Sequence, residues 1–107
     1  MNQWYARPVF FVADLERALH FYVDRLGFSK PWHEADGKGS VCQVERGGCE
    51  IILCQDAERR DRGRIFVSLT PEEFKSLSVP GEPFWWGYDC LRVLDPDGNE
   101  LLFPRPT

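Results

Sequence analysis

Histidine is scarce in this 107-residue chain, where His20 and His33 are the only two, and methionine occurs once. The four cysteines stand at positions 42, 49, 54 and 90, and no two of them make a Cys-x-x-Cys pair. So few imidazoles and such thiol spacing leave no zinc set of the usual kind. No apolar run approaches the roughly 20 residues of a membrane helix, so no membrane partner is expected. Met1 to Arg7 show no charged segment leading into an apolar stretch, which argues against a secretory signal. Reduced thiols acting as small strand hydrophobes follow, with a cytoplasmic location. Basic residues are outnumbered, 13 Lys+Arg against 17 Asp+Glu, for a formal net charge of −4. Phosphate binding draws on clustered cations. The one basic run (Arg59, Arg60, Arg62, Arg64) is interrupted by Asp61 and reads as a solvated loop. Nucleic acid is therefore not an expected partner. Glycine-rich phosphate loops, serine nucleophile elbows and paired-carboxylate motifs are also missing.

What is present is the composition of an ordinary globular domain: 43% hydrophobic, 28% charged and 14% aromatic residues. The length fits one domain over residues 1–107, burying roughly two-thirds of the unfolded chain's surface without disulfides or a structural metal. Arg7 to Ala13 reads as a strand, and Asp14 is placed to cap a helix. Leu15, Ala18, Leu19, Tyr22 and Leu26 follow the 3-and-4 spacing of one helical face, and Gly27 supplies a left-handed stop. Strands are expected over Phe28 to Ala35, Ser40 to Arg46 and Cys49 to Gln55, with turns at Asp36 to Gly39 and at Gly47-Gly48. Residues 56 to 63 are polar and read as a linker. Arg64 to Leu69 is a further strand, and Thr70-Pro71-Glu72-Glu73 starts a short second helix that Pro80-Gly81 halts. Two last strands, Tyr88 to Leu94 and Asn99 to Phe103, flank the turn Asp95-Pro96-Asp97-Gly98.

The two halves echo one another. Gly39-Ser-Val-Cys42 is repeated as Gly87-Tyr-Asp-Cys90, Glu50-Ile-Ile-Leu53 as Glu100-Leu-Leu-Phe103, and Arg7 and Arg64 each open a first strand. Three echoes in the same order favour a duplication.

Asp14-Leu15, Ala18, Phe21-Tyr22 and Leu26-Gly27-Phe28, with the closing Asp95-Pro96-Asp97-Gly98-Asn99 and its apolar strand, resemble the glyoxalase/bleomycin-resistance/extradiol-dioxygenase (vicinal oxygen chelate) superfamily over about residues 7 to 104. The resemblance implies an α+β fold of tandem βαβββ modules, about 7–55 and 64–104, whose mixed sheets curl into a cup. It also implies a homodimer. Many superfamily enzymes hold one divalent metal in the cup, with His, Gln or Glu ligands from the first and last strands of each module. Those positions fall here on Arg7, Ile52, Arg64 and Leu102. Guanidinium has no acceptor, and the aliphatic side chains have no lone pairs. A two-residue shift would bring in Glu50 and Glu100 instead.

No metal ligand, catalytic residue or cofactor is therefore assigned. Strand alternation puts Arg7, Arg64, Glu50 and Glu100 on cup-facing parity. The four either pair with one another, receive an anionic group, or are solvated at strand ends. Phe84, Trp85 and Trp86 cannot all be buried on one strand face, so at least one should face a pocket mouth or a partner. Arg7, Trp32, Arg64, Trp85, Trp86 and Tyr88 are the candidate ligand-binding residues. Leading is a metal-independent protein that sequesters an aromatic or anionic small molecule, as the bleomycin-resistance branch does. The alternatives are a lyase, isomerase or dioxygenase-like enzyme with a displaced metal or an arginine oxyanion site, and a protein-interaction module. His20 reads as solvent-facing, and His33 has no companion acid or nucleophile at motif spacing.

Overall fold

The computed structural model describes residues 3–106. Met1, Asn2 and Thr107, included in the single-domain expectation, lie outside the described residues. Strand β1 (Val9–Val12) alternates, with Phe10 and Val12 buried and Val9 exposed. Asp14, extended at φ −141°, accepts from the Arg17 backbone N–H at 3.3 Å and starts α1 (Leu15–Leu19). The helix then widens into a π-helical stretch over His20–Arg25, where the Leu26 N–H donates to the Phe21 carbonyl at 3.0 Å. This departs from the regular stripe the sequence predicts. The wider turn brings both Phe21 and Tyr22 into the interior, while Leu19 packs only at the edge of the core. Gly27 ends the segment at φ +76°.

β2 (Ser29–His33) stops two residues earlier than its composition suggests. Glu34 causes the stop: its carboxylate accepts from the Ser40 N–H at 3.0 Å and its carbonyl from the Gly39 N–H at 2.9 Å. They close a one-turn segment, α2 (Glu34–Gly37), in which Ala35 and Asp36 take left-handed backbone angles. β3 (Val41–Arg46) and β4 (Cys49–Gln55) form the expected hairpin, with Gly47 and Gly48 both at positive φ.

In the second half β5 (Arg64–Phe66) is only three residues long. α3 (Pro71–Lys75) is capped by Thr70, whose hydroxyl accepts from the Glu73 N–H at 3.2 Å. β6 (Glu82–Trp85) is a strand that the flanking Gly81 and the internal Pro83 concealed. β7 (Asp89–Leu94) and β8 (Glu100–Pro104) complete the half.

The sheets have orders β1-β4-β3-β2 and β5-β8-β7-β6, each with its opening strand parallel to its closing strand. This is the same βαβββ topology twice, an α+β fold as expected. The duplication holds in the register of one echo and fails in another. Glu50 lies opposite Glu45, and Glu100 opposite Leu94. Cys42 precedes Glu45 by three residues, whereas Cys90 precedes Leu94 by four. The cysteines therefore face opposite surfaces, and only Cys42 joins the core cluster. The arginine and glutamate echo survives: Arg64 pairs in register with Glu100, and the Val9–Ile52 pairing, continued two residues upstream, sets Arg7 level with Glu50.

One core serves both sheets, joining Phe10, Tyr22 and Leu53 to Val93, Leu101 and Phe103. A buried polar tie crosses between the halves. The Tyr22 hydroxyl donates to Asp95 Oδ2 at 2.9 Å, and Asp95 Oδ1 accepts from the Asp97 and Asn99 N–H groups at 2.8 and 2.9 Å. Fully buried Asn99 accepts from the Gly63 N–H at 2.8 Å and donates to the Phe11 carbonyl at 3.2 Å. Burial and the neighbouring Asp95 push the Tyr22 phenol well above its ordinary value. The Asp-Pro-Asp-Gly-Asn run is thus a turn and also the clasp between the halves.

Candidate functional site

The sheet faces turned away from the core carry the polar and aromatic side chains. In the first half, Arg7 donates to the Gln43 side-chain carbonyl, and the Gln43 amide donates to Glu50 Oε1 at 2.7 Å. Gln43 lies opposite Ile52 on β4 and is buried at 9% exposure, a depth an amide reaches only when it is bonded. Trp32 is opposite Gln43 on β2 and half exposed, and the Arg7 guanidinium lies 5.2 Å from the Tyr5 ring centre.

The second half repeats the plan with more charge. Arg64 donates through Nε and Nη2 to both oxygens of Glu100, at 3.0 and 3.1 Å. Arg92, opposite Leu102, donates to Glu100 Oε2 at 3.1 Å and to Glu82. The hydrogen bond from Arg64, joined by that from Arg92, outweighs desolvation and lowers the Glu100 carboxyl below its ordinary value. Both guanidinium groups stack on aromatic rings: Arg64 lies 5.2 Å from the centres of Phe84 and Trp86, and Arg92 lies 4.7 Å from Phe84. Phe66 extends the platform, 5.9 Å from Trp86 and 5.7 Å from Tyr88.

Of the residues singled out in the sequence, Arg64, Trp86 and Tyr88 meet on this face, and Arg7 and Trp32 share the corresponding face of the first sheet. Trp85 does not join them. It neighbours Phe84 along β6, so alternation turns it to the other side, where it is 74% exposed beyond the core's edge. Gln43, Phe66, Glu82 and Arg92 went unnoticed, and Phe84 was not assigned. Hairpin register was the missing signal, because it places Gln43 opposite Ile52 and Arg92 opposite Leu102. His33 has both ring nitrogens engaged, Nδ1 with Lys30 at 2.8 Å and Nε2 with the Gly39 carbonyl at 3.0 Å. His20 is exposed and pairs with Asp24 at 2.8 Å.

A chelated divalent metal does not fit this donor set. Glu100 is occupied by two guanidinium groups, Glu50 by the Gln43 amide, and the four positions at which the resemblance to the superfamily expects metal ligands carry Arg7, Ile52, Arg64 and Leu102. Among the described residues no group of three or more His, Cys, Asp or Glu is placed to hold a metal ion, and no helix is long and apolar enough to cross a membrane.

Solved structures share this architecture. The bleomycin-binding protein of bleomycin-producing Streptomyces verticillus, complexed with copper(II)-bleomycin, matches with a TM-score of 0.74 and 20% identity, over 100% of each chain. A member of the glyoxalase/bleomycin resistance protein/dioxygenase superfamily from Sphaerobacter thermophilus is 26% identical with a TM-score of 0.63, over 97% of this chain and 98% of the other. Lactoylglutathione lyase from Agrobacterium tumefaciens is 16% identical with a TM-score of 0.70, over 97% and 95%. No curated protein matches the chain. The family model described as glyoxalase superfamily protein matches residues 4–106. The chain belongs to the glyoxalase superfamily.

Proposed function

We propose that this protein binds and sequesters a small molecule without a metal, on the guanidinium and aromatic face of the second sheet. Arg64 carries the reading. It takes the place where an enzyme of the superfamily would present a ligand, it bonds Glu100, and it stacks on Phe84 and Trp86. A planar ligand gains aromatic contact on Phe66, Trp86 and Tyr88, and an anionic group on it competes with Glu100 for Arg64 and Arg92. Trp32 and Arg7 of the first half supply a second aromatic and cationic surface of the same kind.

The working unit is a homodimer in which a second copy covers these faces. Val9, Trp32, Phe66, Trp86 and Tyr88 are all exposed in the single chain, an unusual density of large apolar groups for a free surface. All four cysteines are free, which suits a reducing cytoplasm. His33 does not add a general base to this face, because both of its ring nitrogens are engaged.

The test is tryptophan fluorescence titration of EDTA-treated protein with bleomycin, with and without copper(II), and with naphthalene-2-carboxylate. Saturable quenching that EDTA leaves intact and Arg64→Ala weakens about tenfold supports the reading, a loss equivalent to about 1.4 kcal/mol. A stoichiometric divalent cation retained through purification, and released by Glu50→Gln or Glu100→Gln, would overturn it.

A further inference from the structure

The two halves differ most in their helices. The first sheet is backed by five α-helical residues and six π-helical ones, whereas α3 has five residues, Pro71–Lys75, roughly 7–8 Å of helix. A helix that short leaves part of the core side of the second sheet uncovered. A partly open pocket of about 390 Å³ lies there between the halves, on the opposite side of the sheets from the Arg64 platform. Leu26, Phe28 and Cys49 line it from the first half, and Leu69, Leu77 and Phe103 from the second. What sets this pocket apart is its lining rather than its size, because buried core side chains such as Leu26, Phe28, Leu101 and Phe103 form its wall. It falls in the lower part of the ~300–1,000 Å³ range of small-molecule sites, and its mostly apolar lining with a few polar groups is the composition of such sites.

The charged members of the lining are Arg46 and Glu73. Arg46, on the end of β3, donates from Nη1 to the Leu26 carbonyl at 2.6 Å and from Nη2 to Glu73 Oε2 on α3 at 3.1 Å. This ion pair bridges the two halves across the cavity and satisfies its own charges. No unpaired charge remains among the cavity's lining to receive an ion, and desolvating one there would be unfavourable.

We infer that the space between the halves is a second binding site, for a compact neutral aromatic or branched apolar molecule, lined in part by the Arg46–Glu73 pair. The site is independent of the ligand face on the second sheet, since the sheets themselves separate the two.

The cysteines provide the readout. Cys49 is partly exposed and lines this cavity, Cys54 is partly exposed on the opposite face of the same strand, and Cys42 and Cys90 are buried. Burial, with Glu50 beside it, holds the Cys49 thiol above its ordinary value, so labelling is done at alkaline pH. Maleimide labelling of the intact protein, read site by site by mass spectrometry with indole as the probe, tests the assignment. Saturable slowing of Cys49 labelling by at least threefold, with Cys54 unchanged, is expected. Leu77→Trp, and separately the milder Leu69→Phe, should fill the space and abolish the protection while the thermal transition persists. A Cys49 rate indifferent to indole up to its solubility, or equal protection of Cys54, would overturn the inference. So would protection that survives in a folded Leu77→Trp or Leu69→Phe protein. None of these results bears on bleomycin or naphthalene-2-carboxylate binding at the other face.

Discussion

Asn99→Ala is the most direct probe of how the halves are held together. The side chain makes three hydrogen bonds: it accepts from Gly63 N–H at 2.8 Å, donates to the Phe11 carbonyl at 3.2 Å, and donates to Asp95 Oδ2 at 2.9 Å. Each of the first two contributes about 1 kcal/mol and the bond to a carboxylate about 1.5–3 kcal/mol, so their loss costs about 4 kcal/mol. That is a large part of the ~5–15 kcal/mol available to a domain of this kind. With a urea m-value of about 2 kcal/mol/M, the unfolding midpoint should fall by about 2 M. Tyr22→Phe removes another donor to the same Asp95 oxygen. The double variant should therefore depart from additivity by more than ~0.5 kcal/mol, the scatter expected of independent sites. Additive effects, or a midpoint shift below about 0.5 M for Asn99→Ala, would refute the idea that this turn clasps the halves.

Three further outcomes follow from the same geometry. The Tyr22 phenol is raised in the fold, so its contribution is complete below its unfolded value near 10.0 and is lost as pH rises through the higher folded value; an alkaline fall in the urea midpoint should disappear in Tyr22→Phe. Glu100 is lowered in the fold, so its contribution is complete above its unfolded value near 4.5 and is lost as pH falls through the lower folded value. Glu100→Gln should flatten that acid limb in thermal scans from neutral pH downward. A Cβ on Gly63 would stand 2.3 Å from Phe10 Cε1, so Gly63→Ala should destabilise by about 1–3 kcal/mol, read by calorimetry.

Strong local signals led to sound expectations. Asp14 and Thr70 cap their helices as read, Gly47-Gly48 turns the hairpin, and Cys49–Gln55 is the strand expected. Errors arose where a distant partner decided the local geometry. β6 was missed because Pro83 and Gly81 speak against a strand, yet pairing with β7 overrides them. The cysteine echo misled because two similar words sit one residue out of register, and a single residue turns a side chain to the other face.

Residue identities alone pointed to the α+β class and to the family, and the fold and the family model bear both out. These depend on chemistry carried by single side chains and on local turn and cap preferences. Which arginine meets which carboxylate was decided by tertiary structure, as were the entry of Gln43, Phe66 and Arg92 into the face and the departure of Trp85 from it. Strand order and hairpin register bring residues separated by tens of positions within hydrogen-bonding distance, and no window along the chain encodes that distance. The cavity behind the second sheet is likewise tertiary, because a short helix becomes an opening only once the sheet beneath it is in place.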